Sequence, residues 1–126
     1  MGSASVAIEL NIDQSFDAEE TRIIEQALFE LQNWFTNRVY EISQELVPVD
    51  TGFLKSTGEV TFEGGVPTLA YHADYADGVE NGIPGVRDGV YFIQGAVDAA
   101  LEELPGALEE YLPVGTVLTD FGIDAE

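Results

Sequence analysis

Residues 17–48 read DAEETRIIEQALFELQNWFTNRVYEISQELVP, and this stretch decides the fold. Ile24, Leu28, Leu31, Phe35, Val39, Ile42 and Leu46 recur at steps of three and four, which places one apolar face along a helix. About 30 residues at 1.5 Å each give a rod of roughly 45 Å. Asp17 begins it as an N-cap, and Glu20, three residues on, completes a capping box. Pro48 stops it, because proline cannot continue a helix and restrains the residue before it. Trp34 and Phe35 read as core packing and not as a ligand site.

Outward from this helix, Ser5–Ile12 alternates Val6, Ile8, Leu10 and Ile12 with small or polar residues, the period of a half-buried strand. On the other side, Val49–Ser56 reads as a turn and a short helical segment ended by Gly58. Glu59–Glu63 and Thr68–Ala73 read as two strands joined around Gly64-Gly65-Val66-Pro67. Asp74–Gly89, rich in glycine, reads as a long extended loop, the kind that is functional or ordered by a partner. A second helix from about Val90 carries Ile93, Val97, Leu101, Leu104 and Leu108, with a kink or fresh start expected at Pro105-Gly106 and an end at Pro113. Val114–Ile123 reads as a last strand or an arm, within a C-terminal piece of about 114–126. The expectation is one α+β domain over 1–126: a small antiparallel sheet packed against a long N-terminal helix and a second, C-terminal helix.

Charge sets the context. The chain of 126 residues holds 24 Asp and Glu against 4 Lys and Arg, a formal net charge of -20. The acids are spread along the chain and are not gathered in a tail, and 45% of residues are apolar, enough for a core. At low ionic strength such a surface repels itself. At about 1 M salt the Debye length falls to about 3 Å and most repulsion is screened. The composition therefore predicts a protein adapted to a high-salt cytoplasm, as in haloarchaea. A DNA mimic and a calcium sponge are the rival readings of the same charge.

Catalytic signatures are absent from the pattern. Cysteines are absent, which excludes disulfides and thiolate zinc sites. His72 is the one histidine, placed in a strand and read as structural. Lys55-Ser56-Thr57 lacks the glycines of a phosphate loop. Asp74, Asp77 and Glu80 lie close together without the spacing of a calcium loop. A hydrolase using two of these carboxylates is the third reading to test. No cofactor, no metal site, no catalytic residue and no membrane segment are expected. No secretory leader is visible in the sequence. With so few basic residues, direct binding of nucleic-acid phosphates is not expected.

Two stretches stand apart: Val47-Pro48-Val49-Asp50-Thr51-Gly52-Phe53-Leu54-Lys55-Ser56, after the long helix, and Tyr75-Ala76-Asp77-Gly78-Val79-Glu80-Asn81-Gly82, some twenty residues later. Together they resemble the head–tail joining, or tail-completion, family of tailed phages. Family members carry Pro-Val-Asp-Thr-Gly-x-Leu-x-x-Ser, with Ser56 here one residue short of that spacing, then Tyr-Ala-x-x-Val-Glu-x-Gly, then a Phe-x-x-x-Ala helix, here Phe92 and Ala96. The resemblance spans about Asp17 to Leu112. It departs at Phe53, Gly78 and Ile83, where the family often has a basic residue, an aromatic and a threonine.

The resemblance implies a structural virion protein that is not an enzyme. It would form a homo-oligomeric ring, expected as a hexamer, in the neck of a tailed virus of a haloarchaeon. A head connector or adaptor protein would lie on one side and the tail tube protein on the other. DNA would only pass through the bore. Assembly would take place in the high-salt host cytoplasm. The alternative is an acidic DNA mimic that inhibits a nucleic-acid-binding factor. The assembly residues implied are Pro48, Asp50, Thr51, Gly52, Leu54, Ser56, Tyr75, Ala76, Val79, Glu80, Gly82, Phe92 and Ala96. Physically, Asp50 is expected to cap a short helix and Gly52 to allow close backbone approach. Tyr75 and Val79 are expected to anchor the loop, and Glu80 to satisfy backbone donors.

Overall fold

The computed structural model describes residues 2–12, 17–48, 52–111 and 118–125. Strand β1 spans Ala4–Ile12, helix α1 Ala18–Leu46, helix α2 Phe53–Ser56, strand β2 Gly58–Glu63 and strand β3 Val66–Tyr71. Helix α3 (Ala76–Asn81) leads into a small hairpin of β4 (Gly82–Ile83) and β5 (Arg87–Asp88). Helix α4 (Phe92–Tyr111) and strand β6 (Leu118–Ala125) follow. The architecture is α+β. An antiparallel sheet with β3 between β2 and β1 packs against the long helix and the C-terminal helix, and β6 adds a strand on the far side of β1.

The helix pattern read from the sequence accounts for the core. Ile24, Leu31, Phe35, Val39 and Ile42 are buried on α1, and Leu28 packs against the core half-buried. Leu46 departs from the expected stripe and is 45% exposed. It sits at the last helical residue and leans toward Gly95 of α4, which has no side chain to cover it. Asp17 accepts the Glu20 amide at 2.8 Å and Glu20 reaches back to the Asp17 amide, so the capping box forms. Val6 and Ile8 of β1 are buried, whereas the side chains of Leu10 and Ile12 lie outside the described ones. Trp34 packs half-buried beside Phe35, with ring centroids 6.2 Å apart.

Three expectations need correction. The β2–β3 turn is the two residues Gly64-Gly65 alone, and Val66 and Pro67 belong to β3. Pro67 is tolerated there because it sits one residue inside the hydrogen-bonded pair that closes the turn. Its nitrogen therefore points away from β2, and the β1 ladder ends at Thr68. Asp74–Gly89 is not an extended loop but holds α3 and the β4–β5 hairpin. Pro105 makes no fresh start: α4 is a single helical run through it, with Pro105 on the exposed side where only a solvent-facing hydrogen bond is lost. The expected stop at Pro113 lies outside the described residues, as do 114–117 of the last strand.

Alpha4 runs antiparallel to α1, with Gly95 beside Leu46 and Glu103 paired to Arg38 at 2.9 Å and 3.1 Å. That hydrogen-bonded pair holds the Glu103 carboxyl below its usual range and the Arg38 guanidinium above its own. Small side chains let the two helices approach, since Ala96, Ala100 and Ala107 are buried in their seam.

Candidate functional site

The site grows from the start of α4. A helix leaves its first amides without partners inside the helix, and a Ser, Thr, Asp or Asn just before it commonly accepts two of them. The residue before Phe92 is Tyr91, which has no such acceptor. Tyr91 also has φ 55, a left-handed backbone that costs a bulky residue about 1–2 kcal/mol. Its carbonyl accepts the Gly95 amide at 2.7 Å, as an N-cap carbonyl does, but the side-chain cap comes from elsewhere in the chain.

Glu80, in α3, supplies it. One carboxylate oxygen accepts the Ile93 amide at 2.7 Å and the other accepts the Gln94 amide at 3.0 Å. These are the second and third residues of α4, the amides a local N-cap side chain would take. The helix dipole favours a negative charge at this point. Glu80 is 7% exposed, and both of its oxygens are held by backbone amides. The backbone doubles the connection: Val90 donates to the Val79 carbonyl at 2.8 Å and Tyr91 to the Glu80 carbonyl at 3.0 Å. Gly89 is required by this closeness, because a Cβ there would stand 2.7 Å from the Glu80 carbonyl oxygen.

The first signature docks onto the same junction. Leu54 of α2 is buried, and the Phe53 ring lies 6.3 Å from the Tyr75 ring, tilted against it. Thr57 accepts the Ala73 amide at 3.2 Å. Ser56 donates locally, to the Phe53 carbonyl at 2.6 Å. Pro48 is half-buried, following the buried Val47 that closes α1. Asp50 and Thr51 lie outside the described residues, so the capping role read for Asp50 does too. Gly52 does not serve a close approach, since nothing lies within 4 Å of a Cβ built there. Its φ of +79 is what favours glycine.

A buried polar contact ties the third element in. Tyr71, at the end of β3, lies 2.7 Å from the Ser43 hydroxyl and accepts Gln44 Nε2 at 2.8 Å. The same Gln44 nitrogen donates to the Lys55 carbonyl at 3.1 Å. Burial pushes the Tyr71 hydroxyl above its usual pKa, with the Ser43 and Gln44 hydrogen bonds opposing the shift. The Tyr71 ring meets Phe92 edge-on at 4.9 Å. Phe92 and Ala96 are fully buried, as is Ala76, and Val79 is buried beside them. Gly82, with φ 85, turns the chain from α3 into the hairpin.

The acidic trio read from the sequence is pulled apart. Glu80 points to α4, Asp77 accepts Asn81 Nδ2 at 2.7 Å, and Asp74 is exposed. Among the described residues no three His, Cys, Asp or Glu side chains form a group that could hold a metal ion. His72 lies one residue beyond β3 and not inside it, with Nε2 2.7 Å from Glu59 in an exposed pair. No helix among the described residues is long and apolar enough to cross a membrane. A shallow cleft of about 360 Å³ opens between the hairpin and Tyr91, lined by Ile83, Pro84 and Asp88 among others.

Sequence reading missed Gly89 and Tyr91. Its available signal was the bare start of α4, where Gly-Val-Tyr-Phe offers no capping side chain and an acceptor from elsewhere is required. Comparison with protein-family models, with curated proteins and with solved structures finds no match.

Proposed function

We propose that this chain is a structural virion protein, a ring-forming neck subunit that joins the head connector to the tail tube of a tailed virus of a high-salt host. One observation carries the reading: the three stretches that resemble the tail-completion family meet in one junction. Phe53, which lies in the first stretch but departs from the family pattern, packs its ring on Tyr75, the Glu80 carboxylate takes the amides of Ile93 and Gln94, and α4 brings in Phe92 and Ala96.

The chemistry of this junction is that of a buried structural joint. Its carboxylate is spent on backbone amides, and its neighbours are ring contacts and short polar bridges. A ring subunit needs a rigid element near its contact surfaces, and a neck needs a surface that does not hold the DNA it passes. With a net charge of -20, the second need is met by repulsion.

Negative-stain imaging of the purified chain in about 3 M salt, where the Debye length is below about 3 Å, tests the reading. Closed rings or stacks of rings are expected. They should loosen as salt falls to about 0.1 M, where the screening length reaches about 10 Å. Single subunits at every salt concentration, or turnover of a substrate by such subunits, contradict it.

A further inference from the structure

Every Asn-Gly and Asp-Gly pair in the chain falls between residues 77 and 89: Asp77-Gly78, Asn81-Gly82 and Asp88-Gly89. The other asparagines, Asn11, Asn33 and Asn37, precede Ile12, Trp34 and Arg38, whose side chains hinder attack by their own amides. Glycine adds no such hindrance, because it has no Cβ. An asparagine before glycine is therefore the place where a main-chain nitrogen most readily reaches a side-chain amide. Asn81 is exposed, so water and base reach it. It stands at the end of α3, where the junction passes into the hairpin.

The fold holds this pair in an unreactive form. The Gly82 amide is the nucleophile, and it donates to the Gly78 carbonyl, which keeps its proton in place. Asn81 Nδ2 is the leaving group, and it donates to Asp77 Oδ1 at 2.7 Å, which draws the side chain back along α3. Gly82 is also paired with Asp88 across the hairpin. A Cβ on Gly89 would stand 2.8 Å from the Asn81 carbonyl carbon, so the Asn81–Gly82 peptide lies against Gly89. Ring closure needs the Asn81 side chain to swing over the Gly82 nitrogen and the peptide to turn. Each of these contacts opposes that rotation. They last only while α3 stays on the body, where the Glu80 cap holds it.

We infer that Asn81 is a deamidation site, kept closed by the native junction and opened when α3 leaves it. In the open segment base removes the Gly82 amide proton, and the nitrogen attacks the Asn81 side-chain carbonyl carbon. The new N–C bond closes a succinimide ring. The bond from that carbon to Nδ2 breaks, and Nδ2 leaves as ammonia after taking a proton from water. A second water adds to one of the two ring carbonyls and opens the ring to aspartate or isoaspartate. The sequence needs no oxidant, reductant or cofactor. Either product sets a carboxylate four residues from Asp77, in place of the amide that donated to it, and like charges at that spacing repel. The isoaspartyl product also lengthens the main chain by a methylene between α3 and β4. Both changes oppose reclosing, so an opening of the junction becomes permanent. The inference stands apart from the ring reading.

The test is peptide mass spectrometry after incubation of the full chain in mildly alkaline buffer. Trypsin releases residues 56–87 as one peptide, because no Lys or Arg lies between Lys55 and Arg87. Asn81 is the one asparagine of that peptide, which holds no glutamine, so a mass gain from amide to acid belongs to Asn81 alone. The parent and Glu80→Ala are incubated in about 3 M salt, and the parent also in enough guanidinium chloride to unfold it. The unfolded chain is expected to deamidate fastest and to give both products. The folded parent should react at least about tenfold more slowly, since it reacts only through its open fraction. Glu80→Ala should fall between the two, several-fold faster than the parent. If Glu80→Ala loses its helix dichroism, Glu80→Gln, which keeps one acceptor, takes its place. An unfolded chain that keeps its mass shows that position 81 is no such site. A folded parent as fast as the unfolded chain shows that the junction does not hold it. A variant as slow as the parent shows that release of α3 does not open it. Each of these results overturns the inference.

Discussion

The two long helices of this protein begin in opposite ways. Alpha1 takes its cap from its own first turn: Asp17 accepts the Glu20 amide, and Glu20 returns the bond, in full solvent. Alpha4 takes its cap from another element: Glu80, thirteen residues before Ile93, is buried and gives one oxygen to each of two amides. A local cap stabilises a helix end and nothing else. A remote cap stabilises a helix end only while a second element stays in place, so it converts helix stability into a tether. Here the tether holds α3 and its hairpin against the body, on the segment where the family-like residues lie.

Breaking the remote cap should therefore cost most. Glu80→Ala leaves two amides without an acceptor, and hydrogen bonds to a charged group are worth about 1.5–3 kcal/mol. We expect a loss of about 3 kcal/mol, read from thermal or denaturant unfolding in about 3 M salt. Glu80→Gln keeps one amide oxygen as acceptor and should lose about half as much. An equal, negligible effect of both would mean that α4 needs no cap from α3.

The Tyr71 contact sharpens the comparison, because it is also a buried polar link between elements. Tyr71→Phe removes hydrogen bonds to Ser43 and Gln44 and should cost about 1 kcal/mol at neutral pH. It should also change the alkaline limb. The folded-state pKa of Tyr71 is raised, so its contribution is complete below the usual value of 10.0 and is lost as pH rises through the folded value. The parent should lose stability above about pH 10 from this residue, and the Phe variant should lack that part of the decline. Identical alkaline limbs would contradict the burial assigned to the hydroxyl.

The local cap should matter least. Asp17→Ala removes one exposed acceptor, and its effect is expected to be smaller than that of either junction variant. Hydrogen bonding to the Glu20 backbone lowers the folded-state pKa of Asp17. Its contribution is therefore present above the ordinary value of 3.8 and is lost as pH falls through the lower folded value. Between those two values the parent's acid limb should be steeper than the variant's, in a titration followed by dichroism. A larger loss from Asp17→Ala than from Glu80→Ala would reverse the comparison.

The same contrast explains what was legible in the sequence. Alpha1 could be read to its ends because its stripe, its cap and its stop at Pro48 all lie within three or four residues of the things they act on. The α+β arrangement followed from that rod, a strand of period two and a second stripe. The segment from Asp74 to Gly89 was misread as a loop because α3 has only six residues, too few to show a period, and contains Gly78. Its order comes from Val90, Tyr91, Ile93 and Gln94, none of which a local pattern connects to it. Pro105 was misjudged for a related reason: packing of Leu104 and Ala107 against the body keeps the helix intact where local propensity argues for a break. Glu80 was singled out by resemblance and by its capacity as an acceptor. Its donors were out of reach of sequence, because they are set by the tertiary approach of α3 to α4.

Amide hydrogen exchange at Ile93 and Gln94 tests the remote cap most directly, compared between the parent chain and Glu80→Ala in the same salt. The account predicts slow exchange at both amides in the parent. The variant should lose protection there and, together with it, through Ala76–Asn81, while the first turn of α1 is unchanged. Protection at Ile93 and Gln94 that survives the substitution, or a loss confined to those two amides with α3 untouched, would contradict it.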